Sequence, residues 1–159
     1  MKFTEAINAI ELVLESGSVP LILGEAGIGK TSLVKRICSE NNYYLVNIDA
    51  NLLKEGEIGG LPIVENGRTK YSTHYKLYEI DEAFESGKYE GVLLFIDELN
   101  RCEHAVQQEL MNLILNREIN GYKLLEKVNI VAAMNPSNKY DGYENSDYQV
   151  VDMDRAQED

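Results

Sequence analysis

Between an apolar run, VPLIL at residues 19–23, and a helical pattern from about Lys30 to Glu40 lies the stretch GEAGIGKT, Gly24 to Thr31. Gly24, Gly29, Lys30 and Thr31 fit G-x-x-x-x-G-K-[ST], and each position has a physical reason. Glycines let the backbone wrap a phosphate with its N–H groups turned inward. The start of the following helix adds a positive end. Lys30 places a point charge on the outer phosphates, and the Thr31 hydroxyl can ligate Mg²⁺. The expected nucleotide-contacting set is Gly24, Glu25, Ala26, Gly27, Ile28, Gly29, Lys30, Thr31 and Ser32. Such a loop must hang between a strand and a helix, which commits the chain to an α/β architecture. A plain glycine-rich turn is the competing reading, and companions elsewhere in the chain decide between the two.

The remaining pattern suits that architecture. YYLVNID (Tyr43–Asp49), GVLLFID ending at Asp97 and VNIVAAMN ending at Asn135 read as further strands. Near-continuous apolar strands are buried on both faces. Helical patterns lie near Tyr75 to Ser86 and Glu103 to Asn116. An amphipathic N-terminal helix is expected with Thr4 as N-cap, Ile7, Ile10 and Leu14 on one face, and Gly17 as its stop. Alternating strands and helices predict a mostly parallel sheet with helices on both faces, a three-layer α/β/α sandwich. One segment breaks the alternation. In GGLPIVENGRTKYS, at residues 59–72, Asn66-Gly67 sits between β-branched and aromatic residues, a hairpin signal. From Ser137 onward the chain is rich in Asn, Asp and Tyr and reads as loop.

Two strand ends supply the companions. Asp97 and Glu98 emerge at the carboxyl end of a buried strand, the edge where open α/β sheets bind ligands. Asp97 is placed to hold the Mg²⁺ shell, with Thr31, and Glu98 to activate the attacking water. The alternative is a carboxylate pair capping the next helix. Asn135 ends another strand, where its amide can position water or touch the outer phosphate; before Pro136 it can equally be a turn residue. The catalytic candidates are therefore Glu98, Lys30 and Asn135, and the metal candidates Thr31 and Asp97.

Composition removes other classes. In 159 residues, 15 Lys and Arg stand against 27 Asp and Glu, a net charge of −12. A sequence-independent grip on nucleic acid needs the opposite balance. No apolar run approaches the ~20 residues of a membrane span. Cys38 and Cys102 lack CxxC spacing and read as free thiols suited to a reducing cytoplasm. His74 and His104 lack metal spacing and read as surface or helix-capping residues. Asn138–Asp141, NKYD, mimics a guanine signature but is separated from its strand by Pro136. The arginines (Arg36, Arg68, Arg101, Arg117 and Arg155) form no cluster of the kind a small-molecule kinase lid requires. Arg101 has two readings: a contact to a neighbouring protomer, or a pair with a nearby glutamate.

GEAGIGKT, LLFIDELNR and IVAAMNP resemble the Walker A, Walker B and sensor 1 motifs of AAA+ ATPases. IGGLPI, VQQELMNLILNREINGYKL and YQVVDMDRAQED are similar to MoxR-type members, in the broad group that includes dynein-related ATPases. The resemblance covers nearly all of residues 1–159 and implies a P-loop NTPase core. It implies ATP and Mg²⁺ as ligands, with Lys30 and Thr31 on the phosphates and the ion, Asp97 on the ion, Glu98 on water and Asn135 as sensor 1. It implies a ring, a hexamer for the parent protein, that remodels or loads a protein client. It also implies that the hairpin at about 59–72 faces the pore or client; an ordinary edge hairpin is the alternative. By that pattern the chain stops before a trans-acting arginine, the fifth strand and the helical lid with its own arginine, so an incomplete core is expected. Arg155 is a candidate finger at the wrong offset. A nucleotide-binding module with negligible turnover is the other reading of such a fragment.

Overall fold

A computed structural model describes residues 2–25, 29–135 and 148–152. In chain order the elements are α1 (Phe3–Glu15), β1 (Val19–Leu23), α2 (Lys30–Asn41), β2 (Tyr43–Asp49), a short 3₁₀ turn (Ala50–Leu52), β3 (Pro62–Glu65), β4 (Arg68–Tyr71), α3 (Tyr75–Ser86), β5 (Gly91–Asp97), α4 (His104–Asn116), β6 (Glu118–Ile119), β7 (Tyr122–Lys123), β8 (Val128–Met134) and β9 (Tyr148–Asp152).

The main sheet has the order β2-β5-β8-β1-β9, and every pairing in it is parallel. Alternation within its strands builds two cores. Leu21 and Leu23 of β1, Val92, Leu94 and Ile96 of β5, and Ile130, Ala132 and Met134 of β8 pack with Leu77 and Ile80 of α3 and Val106 and Leu110 of α4. The intervening Ile22, Leu93, Phe95, Val131 and Ala133 face the other way. They pack with Ala6, Ile7 and Ile10 of α1 and Leu33, Val34 and Ile37 of α2. A period of two is thus buried on both sides, which accounts for the near-continuous apolar strands. The result is the expected three-layer α/β/α sandwich. Among the described residues, no helix is long and apolar enough to cross a membrane.

The structure corrects the sequence reading at several points. The fifth strand expected to be missing is present: β9 pairs with β1 from Val19↔Tyr148 to Leu23↔Asp152. Its residues lie inside the tail read as loop. Only Val150 and Val151 among its five residues are aliphatic, so the strand is specified by its partner, not by its own pattern. The N-cap of α1 is Lys2, not Thr4; the Lys2 amide donates to Glu5 Oε2 at 3.3 Å, which starts the helix two residues early. β8 ends at Met134, leaving Asn135 just beyond the ladder.

β3 and β4 form an antiparallel hairpin between β2 and α3, closed by Asn66 and Gly67 at φ 53° and 74°. Two left-handed residues in succession are the signature of a two-residue turn that matches strand twist. All eight strand residues are exposed. A second hairpin, β6–β7, turns on Asn120-Gly121 at φ 46° and 86°. The Asn-Gly pair that makes this turn lies inside VQQELMNLILNREINGYKL. The Asn120 amide donates to the Gly59 carbonyl at 3.1 Å and so ties the second hairpin to the approach of the first.

Candidate functional site

Parallel strands align their carboxyl ends, and the sheet gathers the sequence-predicted residues at one edge. β1 ends at Leu23, and the Gly24 amide donates to the Met134 carbonyl at the end of β8, at 3.1 Å. Asp97 ends β5. Asn135 follows β8 directly. Glu25 is exposed beside this edge; Ala26, Gly27 and Ile28 lie outside the described residues.

Gly29 is the N-cap of α2, with φ 94° and no side-chain hydrogen bond capping the helix. A left-handed residue is needed there to swing the loop into the helix, and glycine adopts it without a Cβ penalty. Gly29 brings no side-chain cap to the first N–H groups of α2, an arrangement that favours an anion. Thr31 is half-buried and Ser32 exposed on the first turn.

Lys30 is the unusual member. Its side chain is only 4% exposed, and its Nζ lies 3.4 Å from Asp97 Oδ1, whose side chain is 22% exposed. Among the described residues the ammonium finds no hydrogen-bond partner. Three donors on a buried cation with one nearby carboxylate form an unsatisfied group, and such groups carry a substantial desolvation penalty. An anionic oxygen ligand would satisfy it. Asp97 Oδ1 also accepts from the Glu98 amide at 2.8 Å, which leaves Oδ2 for a cation or its water. Among the described residues, no group of three or more His, Cys, Asp or Glu could hold a metal by itself. An ion held here would therefore need ligand oxygens besides Asp97 and Thr31, as a phosphate-bound Mg²⁺ has.

Glu98 has φ 58°, a left-handed conformation uncommon outside glycine. It sits in a tight turn closed by the Arg101 amide donating to its carbonyl at 3.0 Å. Its Oε2 is buried without a hydrogen bond, although the Arg101 Nε is 3.4 Å away. The two contacts describe one situation: an ion pair whose angles do not make a hydrogen bond. Of the two readings for Arg101, the structure places it beside Glu98.

Asn100 went unrecognised as a site residue in the sequence. Its Nδ2 donates to the Asn135 carbonyl at 2.8 Å and its Oδ1 accepts from the Asn135 amide at 3.1 Å. The signal available was an amide side chain three residues after Asp97, opposite another strand end; only the fold shows that the two meet. The remaining candidates are accounted for by other contacts. Cys38 is buried in the α1–α2 core, where burial pushes its thiol up to about 11. Cys102 donates through Sγ to the Leu99 carbonyl at 3.3 Å, and its thiol too is raised by burial. His74 is a helix cap, its Nδ1 accepting from the Lys76 amide at 3.1 Å at the start of α3. Asn138–Asp141 and Arg155 lie outside the described residues.

Comparison with known proteins agrees with this geometry. Residues 20–151 match the family model for the AAA domain of the dynein-related subfamily. The chain is 27% identical over 147 residues to "Putative chaperone BssE" of Thauera aromatica, covering 87% of this chain and 49% of that protein. It is 29% identical over 141 residues to the proteasome-activating nucleotidase of Sulfurisphaera tokodaii, covering 79% of this chain and 32% of the relative. The chain thus spans about half or less of these relatives' length. Among solved structures, the fold is similar to that of a "putative ATPase" from Cytophaga hutchinsonii, with a TM-score of 0.55 and 16% identity, over 86% of this chain and 43% of that one. With the family model covering most of its length, and Gly24, Asp97 and Asn135 on one sheet edge, the chain belongs to the dynein-related subfamily of AAA domains.

Proposed function

We propose that this chain is the nucleotide-binding core of a cytoplasmic, ring-forming AAA+ ATPase of the MoxR type, in which Mg²⁺-dependent ATP hydrolysis remodels or loads a protein client. The observation that carries the reading is the buried Lys30 ammonium, 3.4 Å from Asp97 and without a hydrogen bond, at the uncapped start of α2. Gly24 to Ser32 would hold the phosphates through backbone N–H groups. Lys30 would meet the outer phosphates. Mg²⁺, held by Thr31 and Asp97 with phosphate oxygens, would neutralise charge on the transferred group. Glu98 would take the proton of the attacking water, and the Asn135 amide would orient that water or the outer phosphate. The names of two relatives, a chaperone and a proteasome-activating nucleotidase, support a protein client. A ring is part of the proposal through the AAA family, with a hexamer as the proposed state. The exposed β3–β4 hairpin is the proposed client-facing insertion.

A second reading is a nucleotide-binding module that barely turns over by itself. The Arg101–Glu98 pair favours it, since the Glu98 carboxylate faces a neighbouring guanidinium at 3.4 Å. Calorimetric titration with ATP, ADP and GTP, with and without Mg²⁺, tests the common core of both. Glu98→Gln separates them: it should keep ATP affinity while turnover falls by roughly 10²–10⁴, the usual contribution of a general base. Retained turnover removes Glu98 from the mechanism. Wild-type turnover already at background favours the binding module.

A further inference from the structure

We infer that Asn100 is a positioning residue that links Glu98 to Asn135 and thereby sets how well the site tells a nucleoside triphosphate from a diphosphate. The inference rests on the reading of Glu98 and Asn135 as the groups facing the terminal phosphate.

The β5–β8 ladder runs from Val92↔Val128 to Ile96↔Ala132. Past it the two chains would ordinarily diverge. Here they stay joined. The Leu99 amide donates to the Ala133 carbonyl at 3.1 Å, and the Asn100 side chain then takes both backbone groups of Asn135. A primary amide presents one donor and one acceptor in a plane, as a peptide does. Asn100 therefore extends the pairing by one more rung, made by a side chain. Two bonds to the N–H and C=O of a single residue fix its backbone, and so the direction in which the buried Asn135 amide leaves the chain. The same six-residue stretch, Asp97 to Cys102, holds Glu98 in its left-handed turn. Glu98 and Asn135 follow different strands, and the Asn100 side chain joins the two segments that carry them.

Geometry rules out the near-isosteres. Aspartate would retain the acceptor but set a carboxylate oxygen against the Asn135 carbonyl. Alanine loses both bonds. A group that only supported the fold would, when removed, weaken every nucleotide alike. A positioning group should weaken only the one that carries the outer phosphate.

The test is calorimetry on the full chain with Mg²⁺ and either ADP or a slowly hydrolysed ATP analogue, ATPγS. For Asn100→Ala we expect ATPγS affinity to fall about tenfold, the scale of one or two net hydrogen bonds, with ADP affinity within about twofold. Asn100→Ser, whose hydroxyl can still donate to a carbonyl, should fall between, and it serves as the variant of record if the alanine form does not fold. Asn135→Ala should show the same selective loss, and the double variant should lose little more than either alone. An unchanged ATPγS-to-ADP ratio in the Asn100 variants, or an equal loss for both nucleotides, overturns the inference. Failure of the underlying reading looks different: Lys30→Met would then leave both affinities intact.

Discussion

Replacing Lys30 by Met keeps most of the side-chain volume and deletes the charge. In the ligand-free protein the ammonium is 4% exposed and lacks a hydrogen bond, with Asp97 at 3.4 Å as its counter-ion. At an effective dielectric of about 20 that pair attracts by roughly 5 kcal/mol, before desolvation of the cation is subtracted. Desolvation of a buried ion is of several kcal/mol, so the two nearly cancel. Unliganded Lys30→Met should therefore melt within a few degrees of wild type. With nucleotide the balance changes. At a ligand concentration of about 100 Kd, binding stabilises by about 2.7 kcal/mol. A charge-assisted hydrogen bond contributes about 1.5–3 kcal/mol, so its loss weakens binding roughly 10- to 150-fold. The same ligand concentration would then stabilise the variant by only about 0.3–1.3 kcal/mol. For a chain of this size 1 kcal/mol moves Tm by about 2–4 °C. A wild-type shift of about 5–10 °C should shrink to about 5 °C or less. Thermal melts with and without Mg²⁺-ATP read both numbers. A variant that keeps the full nucleotide shift refutes the role given to Lys30; one that melts far below wild type without ligand refutes the near-cancellation.

Two further perturbations test the scaffold. His74 is held below its ordinary pKa, chiefly by burial, with Lys76 acting the same way and Glu57 opposing, and its Nδ1 caps α3 as an acceptor. The unfolded chain therefore binds the proton more readily, so stability should be complete above about pH 6.5 and decline as pH falls through that value; denaturant melts on wild type and His74→Asn should differ in that slope, and identical slopes would contradict it. Gly60, at φ 82°, has no room for a Cβ, which would run into the Ser72 carbonyl. Gly60→Ala should cost about 1–3 kcal/mol of strain and loosen the β3–β4 hairpin, read by denaturant melting and amide exchange at Pro62–Tyr71; a neutral result would place the hairpin base elsewhere.

The main sheet's inner strands were legible because burial on both faces leaves a compositional trace. VPLIL and GVLLFID are apolar at every position but the last of β5 or the proline of β1, and their bounds match the structure. The Gly24–Thr31 expectation had another basis: a glycine, a lysine and a hydroxyl at fixed spacing suit one ligand geometry, and Gly29 is left-handed at the start of α2. What escaped was relational. Asn100 has no pattern of its own; its role exists only because β5 and β8 are neighbours. Arg101 could be assigned to Glu98 only once the turn at φ 58° was known.

β9 shows the same limit and why it matters to the site. A five-residue strand with two aliphatics does not specify itself; it takes its form from β1, to which it pairs along five positions. Remove it, and β1 becomes an edge strand, contacting β8 over three register positions, Leu21↔Ala132 to Leu23↔Met134. Edge strands present unpaired N–H and C=O groups and fray. Gly24 and the loop after it would then hang from the most mobile border of the sheet. With β9 in place β1 is interior, held on both sides up to Leu23, and the amide of Gly24 continues the hold to the Met134 carbonyl. Binding loops work when a rigid scaffold aims them. β9, Tyr148–Asp152 of that polar tail, thus steadies the strand from which Gly24 leaves the sheet.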